Sequence, residues 1–187
     1  MAQLPLVIYP DAILTRRSTD VLEIDGELYA LGQAMTETMY GSHGIGLAAP
    51  QVARNIRLIT VDVDQDGSPG TLMHLVNPVI TESHGRTSYE EGCLSFPGLA
   101  AEVRRKKEIH VQAYDLDGGE IDLHADGLLS ICIQHEIDHL NGVCFVDRLN
   151  AVKRKLVVRD YLRDQALQRE DDTLDAIRAL HDAHQDD

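Results

Sequence analysis

The chain contains 187 residues, of which 43% are hydrophobic, a size and composition that predict one globular domain. Its formal net charge of −14 argues against binding to nucleic acid or to an anionic membrane, because phosphate contacts need clustered Lys and Arg. No apolar run approaches the roughly 18 residues of a membrane span, and we recognise no targeting segment. Three cysteines are too few, and odd in number, for a disulfide framework, which favours a reducing cytoplasm.

In chain order, the hydrophobic pattern predicts one helix and then a group of strands. The helix spans about 26–40, with Asp25 as its N-cap. The basic run at 104–107 is expected to be a solvated strand edge or turn. Strands are predicted over 56–63, 73–80, 109–114 and 120–123, with turn signals at 66–70 and 117–119.

A second helix is predicted to begin near Asp126, which can cap it, and to end at Gly142. Strands grouped before a helix, with hairpin-length connections, predict an α+β fold and not a parallel βαβ sheet. A C-terminal helix is expected over 153–168. The acidic stretch at 170–187 either adds a short amphipathic face or is disordered.

The second helix carries the sequence Gln-His-Glu-Ile-Asp-His-Leu-Asn-Gly at residues 134–142. Residues four apart on a helix are rotated by about 40° and separated by about 6 Å, so His135 and His139 can reach one metal ion. Glu136 can then accept a proton from water held by that ion, as a general base. The motif therefore predicts metal-dependent hydrolysis, provided that the chain supplies a third ligand.

Several residues are candidates for the third ligand. Cys132 lies roughly 10 Å along the helix axis from His139, too far for one ion, and is expected to be a buried packing residue. Phe145 stands where zinc endopeptidases of one class carry their third histidine, and Glu170 leaves another protease class, with a downstream Glu as ligand, formally open. Cys93 follows a glycine in Glu-Gly-Cys-Leu-Ser-Phe-Pro-Gly, and its thiolate would complete a set of three ligands with one open position.

A third segment, residues 44–51, reads Gly-Ile-Gly-Leu-Ala-Ala-Pro-Gln. Its glycines and alanines keep the backbone slim, and Gln51 offers an uncharged N–H donor and a C=O acceptor. The segment matches neither the P-loop nor the dinucleotide-binding fingerprint, and a helix-to-strand loop is its simplest interpretation.

The three segments together resemble peptide deformylase, whose members carry GΦGΦAAPQ, EGCΦS and QHEΦDHΦΦG in this order, with Φ apolar. The resemblance covers roughly residues 6–150. We take 1–150 as a catalytic domain and 151–187 as a C-terminal helix and acidic tail. It implies an α+β fold in which antiparallel β-sheets surround the central helix of the His-Glu-x-x-His motif. It also implies a hydrolase that removes the N-formyl group from the formylmethionine of new bacterial polypeptides. The alternatives are a zinc endopeptidase, or a non-catalytic metal-binding relative, in which we would expect Glu136 or Gln51 to be lost.

The resemblance also implies roles for particular residues. Cys93, His135 and His139 would bind one divalent metal ion, ferrous iron natively, with nickel, cobalt or zinc also accepted. Glu136 would act as base and then acid, while Gln51 and the backbone N–H of Leu94 would stabilise the oxyanion. The expected substrate pocket comprises Ile45, Gly46, Gly92, Leu128, Ile131 and Cys132.

Further expectations concern the surroundings of this site. Glu91 could orient a histidine ligand, Asp138 is expected to be a solvated helix residue, and Gly46 and Gly92 would suit a cramped site. The expected partners are formylated nascent peptides, with no nucleic acid or membrane, and the chain is expected to be a monomer. Ribosome docking stays an open alternative. The basic residues at 153–155 begin the tail with positive charge, but the acidic segments at 170–172 and 185–187 reverse it and would be repelled by ribosomal RNA.

Overall fold

The computed structural model of the protein describes residues 3–64 and 71–183. The turn predicted at 66–70, and the side chains of the apolar face expected in the tail, lie outside the described part. The chain divides after Arg148 into two compact units. The assignment of these units to a catalytic domain and an appendage remains a prediction.

The first unit contains two α-helices and seven β-strands. The helices are α1 (Gly26–Gly41) and α2 (Gly127–Leu140). The strands are β1 (Gly46–Ala48), β2 (Leu58–Val61), β3 (Met73–His84), β4 (Thr87–Gly92), β5 (Ala100–Arg105), β6 (Glu108–Tyr114) and β7 (Glu120–Asp126). The two predicted helices and four predicted strands are present, whereas β1, β4 and β5 were not predicted.

The strands form two antiparallel sheets. One sheet has the order β1-β2-β3-β6-β7, and β4 pairs with β5 in a separate hairpin. The hairpin places Glu91 opposite Ala101 and Gly92 opposite Ala100, at the point where the chain leaves β4 for Cys93. This architecture confirms the predicted α+β fold with antiparallel sheets.

Helices cover both faces of the five-stranded sheet because β2 is apolar on both sides. Ile59 packs in one core cluster with residues of α2 such as Ile133. Its neighbour Leu58 packs in a second cluster with residues of α1 such as Met35. Successive residues of a strand point to opposite faces, so the sheet lies between the two helices and α2 packs on one of its faces.

Local chemistry sets the ends of the helices. The Asp25 side chain accepts a hydrogen bond from the Leu28 backbone N–H at 2.9 Å, as predicted for an N-cap. Asp126 occupies the cap position of α2, but its side chain makes no capping hydrogen bond. Beyond α2, Gly142 has a φ of +72°, and a Cβ there would lie 2.6 Å from the Thr15 carbonyl oxygen, so only glycine fits.

The second unit is one helix, α3 (Ala151–Ala183), longer than the predicted span of 153–168. It confirms the C-terminal helix. Within the described residues, no helix has the length and apolar character needed to cross a membrane.

Candidate metal and catalytic site

Three potential metal ligands converge at the edge of α2. Cys93 comes directly after β4, while His135 and His139 occupy successive turns of the helix. One ligand atom from each lies within 4.8 Å of the others, and Cys93 Sγ is 3.3 Å from His139 Nε2. A thiolate and two imidazoles form a donor set that suits zinc, iron, nickel or cobalt. The three residues therefore fit the predicted metal site.

Glu91 fixes the orientation of His135. Its Oε2 accepts a hydrogen bond from His135 Nδ1 at 2.8 Å, leaving Nε2 for a metal ion. Burial raises the pKa of Glu91, but hydrogen bonds from Arg105 and His135 outweigh that effect and hold the pKa at about 2. Glu91 is thus a permanent carboxylate acceptor, in the position that we expected for an orienting residue.

The expectation of a solvated charge was wrong for Asp138 on α2 and for Arg105 on β5. The other members of the basic run, Arg104, Lys106 and Lys107, are exposed as expected. Arg105 is 5% exposed and Asp138 is also 5% exposed, and their side chains form an ion pair. Arg105 makes two further bonds to Glu91, from Nε to Oε1 at 2.7 Å and from Nη2 to Oε2 at 2.8 Å. Arg148 also binds Asp138, from Nε to Oδ2 at 2.9 Å. We call Arg148, Asp138, Arg105 and Glu91 the ionic chain.

The physical reason for this correction is pairing across the fold. Arg105 occupies an inward position of β5, where an unpaired guanidinium would be costly. Glu91 on the partner strand and Asp138 on α2 each supply a carboxylate, separated from Arg105 by 14 and 33 residues in sequence. A run of four basic residues does not show which distant carboxylates pair with one of them. The sequence alone therefore suggested a solvated edge.

Glu136 lies buried beside the three ligands. Its Oε2 has no hydrogen-bond partner within the described residues. Burial raises the pKa of the carboxyl group to about 7, against the opposing effect of His135. A buried carboxyl group with an unpaired oxygen and a pKa near neutrality is suited to exchange a proton with a reactant.

Gln51 is held in place by its own segment. Its side-chain oxygen accepts a hydrogen bond from the Ala48 backbone N–H at 2.8 Å, so the amide N–H group faces away from that contact. This N–H group lies 3.5 Å from Cys93 Sγ and 3.3 Å from Ser95 Oγ. Gln51 therefore presents a donor next to the proposed ligands. The sequence analysis missed Ser95, although it belongs to the same segment as Cys93.

A cavity of about 770 Å³ opens beside these groups. All six predicted pocket residues line it, together with Cys93, Leu94, Gln51, His135 and Glu136. The sequence analysis missed other lining residues, which no local motif marks; examples are Ile8, His43, Tyr89 and Leu99. The cavity is within the size range of small-molecule sites.

The two predicted steric glycines differ. A Cβ at Gly46 would lie 2.5 Å from Glu136 Oε1 and 2.7 Å from Cys132 Sγ, so any side chain would collide with the site. A Cβ at Gly92 would meet nothing closer than the Leu99 carbonyl oxygen, at 3.8 Å. Close packing against the protein therefore requires glycine at 46 and does not require it at 92.

Cys132 and Phe145, the other positions considered for a third ligand, are buried packing residues. Cys132 is 5% exposed, and burial raises the pKa of its thiol, as expected for a packing cysteine. Phe145 is fully buried and stacks its ring 6.0 Å from that of His135, so it fills space beside the site. Among the described residues, the three-ligand set contains Cys93, His135 and His139.

Known proteins share this sequence and fold. Residues 3–155 match the family described as polypeptide deformylase. A peptide deformylase of Brucella suis is 43% identical over 162 residues, covering 86% of this chain and 93% of the relative. One from Thermodesulfovibrio yellowstonii is 45% identical, covering 83% and 94% respectively. The crystal structure of a peptide deformylase from Legionella pneumophila superposes with a TM-score of 0.83 at 39% identity, covering 90% of this chain and 98% of that one.

Proposed function

This chain belongs to the polypeptide deformylase family, and we propose that Cys93, His135 and His139 bind the metal ion on which its activity depends. The enzyme hydrolyses the formyl amide of N-terminal formylmethionine on newly synthesised polypeptides and releases formate. The observation that carries the assignment of residues is the convergence of the three ligand atoms beside Glu136.

Glu136 performs the proton transfers in this proposal. A metal ion held by Cys93, His135 and His139 would supply Lewis acidity, which would polarise a carbonyl group and lower the pKa of a water molecule. Glu136 accepts a proton from that water while the oxygen atom of the water attacks the formyl carbon. The carboxyl group then returns the proton to the departing amine as the carbon–nitrogen bond breaks, giving formate and a free methionine N-terminus. Its unpaired Oε2 and its pKa of about 7 suit both transfers.

Gln51 and Leu94 are proposed to stabilise the negative charge that develops on the formyl oxygen. The Gln51 amide N–H group is already oriented, because its side-chain oxygen is bonded to the Ala48 N–H. The Leu94 backbone N–H follows Cys93 directly in the chain. One such donor in a site that excludes water is worth about 3–4 kcal/mol in the transition state.

The methionine side chain is proposed to occupy the cavity along Ile45, Leu128, Ile131 and Cys132. These are apolar walls for an apolar side chain. Gly46 leaves room for a formyl group beside Glu136, since even a methyl group there would collide with the carboxylate. A bulkier acyl group is therefore expected to be a poor substrate.

We propose ferrous iron as the native metal, with zinc, nickel or cobalt as substitutes. A thiolate beside ferrous iron is open to oxidation. Activity of the iron form should therefore decay in air, while the nickel and cobalt forms retain theirs. The decay is monitored by the rate of formate release at fixed metal content. Equal decay of activity in all three metal forms would contradict this part of the proposal.

We further propose that the enzyme acts in the cytoplasm as a monomer. Cys93, Cys132 and Cys144 form no disulfide among the described residues, and this supports the location together with the nascent-chain substrate. Ribosome association is open to a direct test: co-sedimentation with ribosomes at low salt, with and without residues 170–187. The acidic end of the tail is expected to weaken binding.

The first experiment measures formate release from a formyl-Met tripeptide by anaerobically purified protein. We expect rapid release that disappears in Glu136→Ala with its metal content retained. Loss of the metal in the variant would leave the role of Glu136 unsupported. No release by the metal-loaded native protein would favour a non-catalytic relative, and cleavage of casein without formyl dependence would favour an endopeptidase.

A further inference from the structure

A second cavity lies on another face of α2. Its volume is about 780 Å³, and α2 contributes Gln134, Ile137, Asp138 and Asn141 to its wall. None of these residues lines the cavity beside the metal ligands, to which the helix contributes Leu128, Ile131, Cys132, His135 and Glu136. The proposed reaction uses nothing in this second cavity, which we call the basic cavity.

Its lining is concentrated in positive charge. Among the described residues, fourteen line the cavity; seven of these are Arg or Lys, and one, Asp138, is acidic. The seven are Arg17, Arg57, Arg86, Arg104, Arg105, Lys106 and Arg148. The whole chain has only 17 such residues and a net charge of −14. The lining of this cavity is therefore rich in basic residues, whereas the chain as a whole has an excess of acidic ones.

Part of this charge is already neutralised. Arg105 and Arg148 belong to the ionic chain and are balanced by Glu91 and Asp138. Four other cations, Arg17, Arg86, Arg104 and Lys106, form no ion pair with any described residue. All four are exposed. These four are free to bind an anion.

Arg57 supplies a fixed positive charge at the wall. It is 6% exposed, and its guanidinium donates to the Pro78 carbonyl oxygen at 3.1 Å and to Asn141 Oδ1 at 3.1 Å. These acceptors are neutral, so they orient the group without cancelling its charge. Within the described part of the chain, its carboxylate contact is Asp20, at 3.6 Å, whose side chain is 72% exposed and well screened by solvent.

We propose that the basic cavity binds the phosphate groups of a polyanion. Guanidinium groups match phosphate oxygens in pairs, and several unpaired cations around one concavity match a ligand with several phosphates. The acidic remainder of the protein does not prevent this, because charges beyond about 8 Å are largely screened at physiological ionic strength. The phosphates belong either to a free oligophosphate or to an RNA strand, and the two share this chemistry.

The test compares two variants of the full-length metal-loaded protein. One carries Arg17→Gln, Arg86→Gln and Arg104→Gln in the basic cavity. The matched control removes three exposed charges elsewhere, with Arg54→Gln, Lys155→Gln and Arg169→Gln. Binding of inorganic tripolyphosphate is measured by calorimetry, and binding of a fluorescent single-stranded RNA by anisotropy over a salt series. Formate release should stay within twofold of the native rate in both variants.

We expect the cavity variant to weaken binding at least tenfold and the control less than twofold. With RNA, the slope of log K against log salt should fall by about two for the three lost contacts. Binding of tripolyphosphate alone would assign a free oligophosphate, and binding of RNA alone a strand. No binding of either probe, or equal losses in both variants, overturns the proposal. Equal affinity for polyglutamate would overturn the assignment to phosphate.

Discussion

Two buried polar clusters share α2, and they differ in how well their hydrogen bonds are satisfied. Beside the proposed ligands, Glu136 Oε2 and His139 Nδ1 lack a partner within the described residues. In the ionic chain, Arg105 binds both Glu91 and Asp138, and Asp138 is shared with Arg148. Glu136 and His139 are buried to the same degree as Glu91, Arg105 and Asp138, whereas Arg148 ends the ionic chain at the surface. Among the buried residues, the difference therefore lies in pairing and not in exposure.

This contrast separates the group that reacts from the group that holds it. A buried polar atom without a partner costs about 1–3 kcal/mol, a cost that a folded protein offsets elsewhere. Glu136 carries such an atom and is the proposed base. Among the described residues, the carboxylates of the ionic chain are paired with Arg105 or Arg148, and the chain meets the site through the Glu91–His135 hydrogen bond. It can therefore position a ligand without taking part in the reaction.

Replacing Glu136 tests the reactive side of the contrast and should have the largest effect. Glu136→Gln keeps the shape of the side chain but cannot accept the proton, so kcat should fall by about 10²–10⁴. Its thermal midpoint should match or exceed that of the native enzyme, because no partner is lost. Parallel measurements of formate release and thermal unfolding check this, with metal content held equal. A clear drop in the midpoint would mean that Glu136 has a structural role instead.

Replacing Arg105 tests the structural side. Arg105→Ala leaves Glu91 and Asp138 as buried carboxylates without their main partner. The free energy of unfolding should therefore fall by about 3–5 kcal/mol. Arg104→Ala, at the exposed neighbouring position, is the matched control and should change it by less than about 0.5 kcal/mol. Urea denaturation of both variants measures the difference, and similar losses at the two positions would refute the distinction.

Glu91 is the link between the clusters, and its substitution should have an intermediate effect. Glu91→Gln replaces the charged acceptor of His135 Nδ1 by a neutral one. Metal affinity should then fall by about 10–100-fold, as for other residues that orient a ligand. Competition with a chelator measures this affinity. Glu90→Gln, the adjacent exposed position on β4, should leave it unchanged.

The smallest effect is expected from a methyl group added next to the base. Gly46→Ala should cost about 1–3 kcal/mol of stability, since the new Cβ would collide with Glu136 and Cys132. Gly92→Ala provides the control, because its Cβ meets only an ordinary contact at 3.8 Å. Thermal unfolding distinguishes the two. Equal stability of both variants would show that the site can yield around position 46.

The reactive cluster could be predicted from sequence because its residues stand in short segments. Helix geometry brings His135 and His139 to one side, and the flanking glycine distinguishes Cys93. The family resemblance then supplied the roles of Gln51 and Leu94. These roles and the metal assignment stay predictions until they are measured, although the fold places the side chains together.

The ionic chain could not be predicted because its pairs connect distant positions. Arg105 stood in a run of four basic residues that looked solvated, and Asp138 looked like a surface residue of α2. Strands β4 and β5 were missed for a related reason. Glu91 is the one fully buried residue of β4, and β5 buries Arg105 where alternation would predict an apolar side chain. Buried charged residues break the alternation of apolar and polar residues by which a strand is predicted from sequence.

The spacing of the ligands along the chain links metal retention to folding. Cys93 and His139 are 46 residues apart. One ion held by both would close a long loop and so reduce the conformational entropy of the unfolded chain, much as a covalent crosslink does. A crosslink over a loop of this length is worth about 4 kcal/mol in the chain-entropy description. The ion would then act as a reversible crosslink between the end of β4 and α2. A protein that loses the ion would lose folding stability together with activity.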